Sequence, residues 1–104
     1  MKTLTERQAL TIIAFWFRRY HRTGKHVRLR EKSNVTFTGL CYPVKILRHM
    51  GMISFDTSRS ILSKIGQWLL DRGIPVDSYA FPTTQENAGH RADIALALIE
   101  RTTK

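Results

Sequence analysis

The sequence predicts a mainly helical α+β domain, about four helices with a short β-hairpin or small sheet, on two kinds of hydrophobic spacing and the glycines between them. Apolar residues recur at helical spacing over 6–22, Leu40–Met50, a run after Asp56, and a last segment ending near Arg101. Between the first two of these the spacing shifts to strict alternation, and Gly24, Gly51 and Gly73 fall at the boundaries. At 104 residues and 12.0 kDa the chain holds one modest core, so residues 1–104 are read as a single domain.

The first helix, 6–22, carries its own start signal: Thr5 as N-cap and Gln8 three residues later form a capping-box pattern, with Glu6 in the favourable first turn. At 100° per residue Ala9, Ile13, Trp16, Phe17 and Tyr20 share one side, and Arg7, Thr11, Arg18 and Arg22 the other. Phe15 breaks this division by falling on the polar side; it is expected either to be covered by another part of the fold or to mark an interface. After Gly24, Val27 and Leu29 point one way and Arg28 and Arg30 the other. Glu31–Asn34 supplies a turn, and Val35 and Phe37 then alternate with Thr36 and Thr38, giving a hairpin with a basic outer face.

Leu40–Met50 returns to helical spacing, with Pro43 tolerated in a first turn and Lys45, Arg48 and His49 grouped in one exposed arc. Met52–Phe55 reads as a short strand. Asp56, Thr57 and Ser58 offer N-caps for the next helix, which buries Ile61, Leu62, Ile65, Trp68 and Leu69 and stops at Gly73, Ile74 and Pro75. Ile74–Pro82 is expected to be extended, with Val76, Tyr79 and Phe81 on the core. The final helix starts between Thr84 and Gly89, and Ala92, Ile94, Ala95, Leu96, Leu98 and Ile99 cover an arc of about 200°. An excess that wide predicts a homodimer through Ala92, Leu96 and Ile99. The succession of a short basic helix and a strand resembles helix-turn-helix or winged-helix modules at the level of architecture, with the hairpin before the basic helix instead of after it.

Charge narrows the function. Between Arg18 and Lys32 lie Arg18, Arg19, Arg22, Lys25, Arg28, Arg30 and Lys32, offset only by Glu31. Residues 1–50 carry 11 Lys and Arg against 2 acids, whereas residues 51–104 carry 6 against 6, so the whole net charge of +9 belongs to the first half. A field this local steers polyanions to one surface, and the cations are mostly Arg, whose planar fork fits phosphate and guanine edges. The expected partner is nucleic acid, with duplex DNA favoured over RNA because the aromatic residues are expected to be buried instead of displayed for base stacking. Arg18, Arg22, Lys25, Arg28, Arg30 and Lys32 are expected on phosphates, with Thr36 and Thr38 beside them; Lys45, Arg48 and His49 would face base edges in the major groove.

Other chemistries find little support. Cys41 is the single cysteine, excluding an intramolecular disulfide, and His21, His26, His49 and His90 do not form paired metal-ligand spacings with it. The eight carboxylates are dispersed, and neither a phosphate-binding glycine loop nor a nucleophile elbow is present. No catalytic residue, metal or cofactor is therefore expected. The longest apolar run, Ala9–Phe17, is too short for a membrane span, which points to a cytoplasmic protein. These readings favour a sequence-specific or architectural DNA-binding protein, a small regulator of transcription or replication. The rival is a protein-interaction module, such as a small inhibitor from a mobile element that docks on an acidic protein or an RNA–protein complex.

Overall fold

The computed structural model describes residues 3–25, 39–75 and 82–102, together with the backbone of 28–30 and 33–34. Four helices build the domain: α1 (Glu6–Thr23), α2 (Tyr42–His49), α3 (Phe55–Asp71) and α4 (Gln85–Ile99). The expected capping box closes α1, with Thr5 Oγ1 accepting from Gln8 N–H at 3.1 Å and Gln8 Oε1 accepting from Thr5 N–H at 2.9 Å. Gly24 ends α1 at φ 71°, a left-handed conformation that costs glycine least. A second capping box, Thr84 with Asn87, fixes the start of α4 inside the expected window.

The most extensive interface joins α1 to α4. The two run antiparallel, since His21 near the end of α1 meets Gln85 at the start of α4, and Arg18 faces Asp93 further along. Ala88, Ala92 and Ala95 are spaced to share one helical face, and all three are buried, so the small side chains let α1 approach closely. From α1 the core takes Ala9, Leu10, Ile13, Ala14, Trp16 and Phe17; Val44 and Leu47 come from α2, and Ile61, Ile65, Trp68 and Leu69 from α3. Thus the wide apolar arc of α4 is covered within the monomer: Ala92 is buried, Ile99 is half-buried, and Leu96 stays 36% exposed.

Two expectations about strands are corrected. The domain is all-helical in architecture, not α+β, and the likeness to winged-helix modules does not hold. Only a minimal antiparallel ladder forms between β1 (Arg28–Arg30) and β2 (Ser33–Asn34), with an irregular register between Arg28 and Arg30, and no third described strand joins it. A ribbon that short has too little apolar face to form a layer of the core. Ser33 and Asn34 pair where a turn was expected, and Val35–Thr38 lies outside the described residues, as do Val76, Tyr79 and Phe81.

The expected strand at Met52–Phe55 is instead the corner between α2 and α3. Its backbone groups have other partners: Met52 N–H donates to Leu47 C=O at 2.9 Å, and Met52 C=O accepts from Leu4 N–H at 2.8 Å. Ser54, not Asp56, Thr57 or Ser58, is the N-cap of α3, its Oγ accepting from Thr57 N–H at 3.0 Å. The Leu4 bond ties this corner to the N-terminal end of α1. Glu6 reinforces the tie by accepting from Lys64 at 2.6 Å and from Ser60 at 3.1 Å, both on α3. None of the described helices is long and apolar enough to cross a membrane.

Candidate nucleic-acid interface

The cations sort into two groups that the linear sequence does not separate. Arg18, Arg19, Arg22 and Lys25 lie on the C-terminal part of α1 or just beyond it, all exposed. Lys45, Arg48 and His49 lie on α2, which leads into the corner held by Leu4 at the other end of α1. At 1.5 Å per residue, Arg18 stands about 21 Å along the α1 axis from Leu4. The phosphate-facing and base-facing residues of the sequence reading therefore sit toward opposite ends of one helix. Arg28 and Arg30 belong to β1, three residues past Lys25, whereas Lys32, Thr36 and Thr38 lie outside the described residues.

Compensation by carboxylates is uneven. Among the described residues the ion pairs are Arg18 with Asp93 at 3.9 Å, Lys64 with Glu6 at 2.6 Å, and Arg101 with Asp71 at 3.4 Å. Arg18 thus faces an acid across a cleft that His21, Glu86, Gly89 and His90 also line. His21 is fixed there: its Nδ1 lies 2.8 Å from Gln85 C=O, Gln85 Nε2 donates back to His21 C=O at 3.2 Å, and a Cβ on Gly89 would stand 3.2 Å from the ring. Arg19, Arg22 and Lys25 have no described carboxylate partner, and neither do Lys45, Arg48 and Arg59.

The α2–α3 corner adds an element that the sequence reading missed. Phe55, first residue of α3, is 57% exposed, and two guanidinium groups approach its ring: Arg48 of α2 at 5.7 Å from the centroid and Arg59, one helical turn on, at 4.9 Å. Each contact contributes about 0.5–1 kcal/mol at an exposed site. An exposed phenyl forgoes about 1.5–3 kcal/mol of burial, so the arginines offset part of that cost while the residue stays exposed. The Phe55 and Arg59 spacing of four residues was the available signal, hidden because Phe55 was assigned to a strand. Phe15, whose place on the polar side raised the same question, is also 56% exposed.

Of the other described cations, Arg7 is exposed without a described carboxylate partner. Arg91 is fully buried in α4 and donates from Nη1 to Thr83 Oγ1, a placement that its position in the sequence did not signal. Arg72 stacks 3.9 Å from the Trp68 ring centroid. The amide of Gln67, donating at 2.7 Å, and then Arg101 hold the Asp71 carboxyl below its ordinary range. Burial raises the pKa of the half-buried Cys41 thiol, keeping it protonated. Among the described residues no three His, Cys, Asp or Glu side chains are grouped to hold a metal ion. Comparison of the chain with known protein families, curated proteins and solved structures finds no match.

Proposed function

We propose that the protein binds nucleic acid by its phosphate backbone, as a small regulator or architectural factor. The observation that supports this reading is a group of exposed cations without a described acidic partner, among them Arg19, Arg22 and Lys25 at one end of α1 and Arg7, Arg48 and Arg59, with Lys45 on α2, toward the other. In a chain of net charge +9, paired charges would be a solvated surface; unpaired ones at two points about 20 Å apart suit an extended polyanion. The spacing matches about six nucleotides of one strand at 3.4 Å each.

Fluorescence anisotropy against random duplex DNA, single-stranded DNA and RNA at two salt concentrations tests the reading. Micromolar affinity is expected, with a log–log salt slope of about −4 to −6 if five to seven phosphates are neutralised. The absence of salt-dependent binding to all three would overturn it.

A protein-interaction reading is favoured by one separate observation. Because Arg18 faces Asp93 between antiparallel helices, one turn further brings Phe15, 56% exposed, level with Leu96, 36% exposed. Two exposed apolar side chains at one level make a small patch suited to a protein surface, a second copy of the chain included. Light scattering at micromolar concentration tests the homodimer: a dimer split by Leu96→Glu supports it, and a monomeric wild type removes it.

A further inference from the structure

We infer that Phe55 is a stacking platform for an unpaired base, so that the preferred ligand of the α2–α3 corner is single-stranded nucleic acid. The inference rests on the proposed nucleic-acid binding and specifies its substrate class. A phenyl ring has no polar group to satisfy, and this one remains 57% exposed after Arg48 and Arg59 have approached it. Its open surface can be used only by an apolar or π-bearing partner. The surrounding charge selects among such partners: Arg48, Arg59 and Lys45 outnumber the one acid of the first α3 turn, Asp56.

A nucleotide carries both complementary features, a planar base and an anionic phosphate. Both guanidiniums lie over the ring, 4.9 and 5.7 Å from its centroid, so a base would stack on this phenyl–arginine cluster, whose cations are then close to the flanking phosphates. In an intact duplex both faces of each internal base are already stacked, so the phenyl ring finds no free base face there. The ring is useful to a polynucleotide only where a base is free. This also reverses the ground on which duplex DNA was favoured, since aromatic residues are displayed after all.

The test compares wild type with Phe55→Leu, which keeps an apolar side chain at an exposed position and leaves every cation in place. Binding is measured by anisotropy to an unstructured DNA strand of about twelve nucleotides, the RNA of the same sequence, the DNA duplex, and an abasic strand with the same number of phosphates. The expected result is a loss of about 5- to 150-fold on the base-bearing single strands, less than about 2-fold on the duplex and the abasic strand, with unchanged salt slopes. Phe55→Trp should restore or strengthen single-strand binding. A loss on either single strand supports the inference, and the larger loss tells DNA from RNA. Equal loss on single strands and duplex, or none on single strands, overturns it. Failure of wild type to bind any strand would instead remove the broader nucleic-acid reading. Circular dichroism confirms that both variants remain helical.

Discussion

Both ends of α1 carry exposed cations without a described acidic partner, but in different surroundings. At the C-terminal end Arg19 and Arg22 share a face of α1 with the exposed Phe15, and Lys25 lies just past the helix, close to Arg18, which Asp93 partly neutralises. At the N-terminal end the α2–α3 corner sets Arg48 and Arg59 against an exposed phenyl ring. In the first arrangement no described guanidinium is set against a ring. The second sets its cations against an exposed aromatic side chain, which on the proposed reading would favour a nucleic acid with free bases over other polyanions. If the proposed function holds, charge at both ends would concentrate the ligand and the corner would set which kind of ligand gains most.

Both ends depend on the same core, and removing that support has the largest expected effect. Phe17 is fully buried on α1. Phe17→Ala should destabilise the domain by about 3–5 kcal/mol through lost burial and the cavity left behind, a large fraction of the stability of a small domain. Urea denaturation followed by circular dichroism measures the loss. Both binding surfaces should fail together; loss of one with retention of the other would show that the two ends fold independently.

Separate truncation of the cations sharpens the contrast. Replacing Arg19, Arg22 and Lys25 together by Ala should lower the magnitude of the duplex salt slope by up to about 2.7, and the Arg48 and Arg59 double replacement by up to about 1.8. The triple variant should weaken duplex and single strand alike. The double variant should weaken single strands more, because it also removes the guanidiniums that bracket Phe55. Equal effects of the two variants on every ligand would mean that both ends merely track the backbone.

How much of this was legible in sequence depends on the range of the signal. Thr5 and Gln8, Thr84 and Asn87, and the stripe of Ala9, Ile13, Trp16 and Phe17 are local signals, and the helices they announce are present. The Met52–Phe55 strand does not form because a four-residue, mostly apolar run is a weaker signal than one cap: Ser54 accepts from Thr57 N–H and caps α3 two residues before Asp56. The hairpin was read from alternation alone, which shows where side chains point but not whether a third strand or a helix covers them. For the site, the identity of the cations was legible and their grouping was not. Arg18 and Arg48 look like parts of one basic half of the chain until Leu4 bonds Met52 and turns α2 toward the far end of α1.

The geometry of the corner can be loosened without touching its charges. Ser54 caps α3 immediately before Phe55, so Ser54→Ala should cost about 1 kcal/mol of stability. It should also fray the turn that holds the ring and reduce the single-strand preference, leaving the salt slope intact. Thermal melting and the anisotropy series above provide both readings. A stability loss with undiminished preference would show that the ring needs no fixed backbone beneath it.

The smallest expected change converts a compensated cation into an unpaired one. Asp71 accepts from Gln67 and Arg101, and the Gln67 bond first, then Arg101, lowers its pKa. A carboxyl whose folded pKa lies below its unfolded value contributes stability that is present above the unfolded pKa and lost as pH falls through the folded one. Asp71→Asn should therefore abolish that acid-side dependence and release Arg101. For nucleic-acid binding the released guanidinium lies outside both cation groups, just past the C-terminal end of α4, so the salt slope should grow by at most about 0.9. Titration of the Asp71 carboxyl by NMR and the slope of the Asn variant check the two parts. A gain as large as the loss from the Arg48 and Arg59 double replacement would show that any unpaired arginine on this surface serves equally well, and the distinction between the two ends of α1 would disappear.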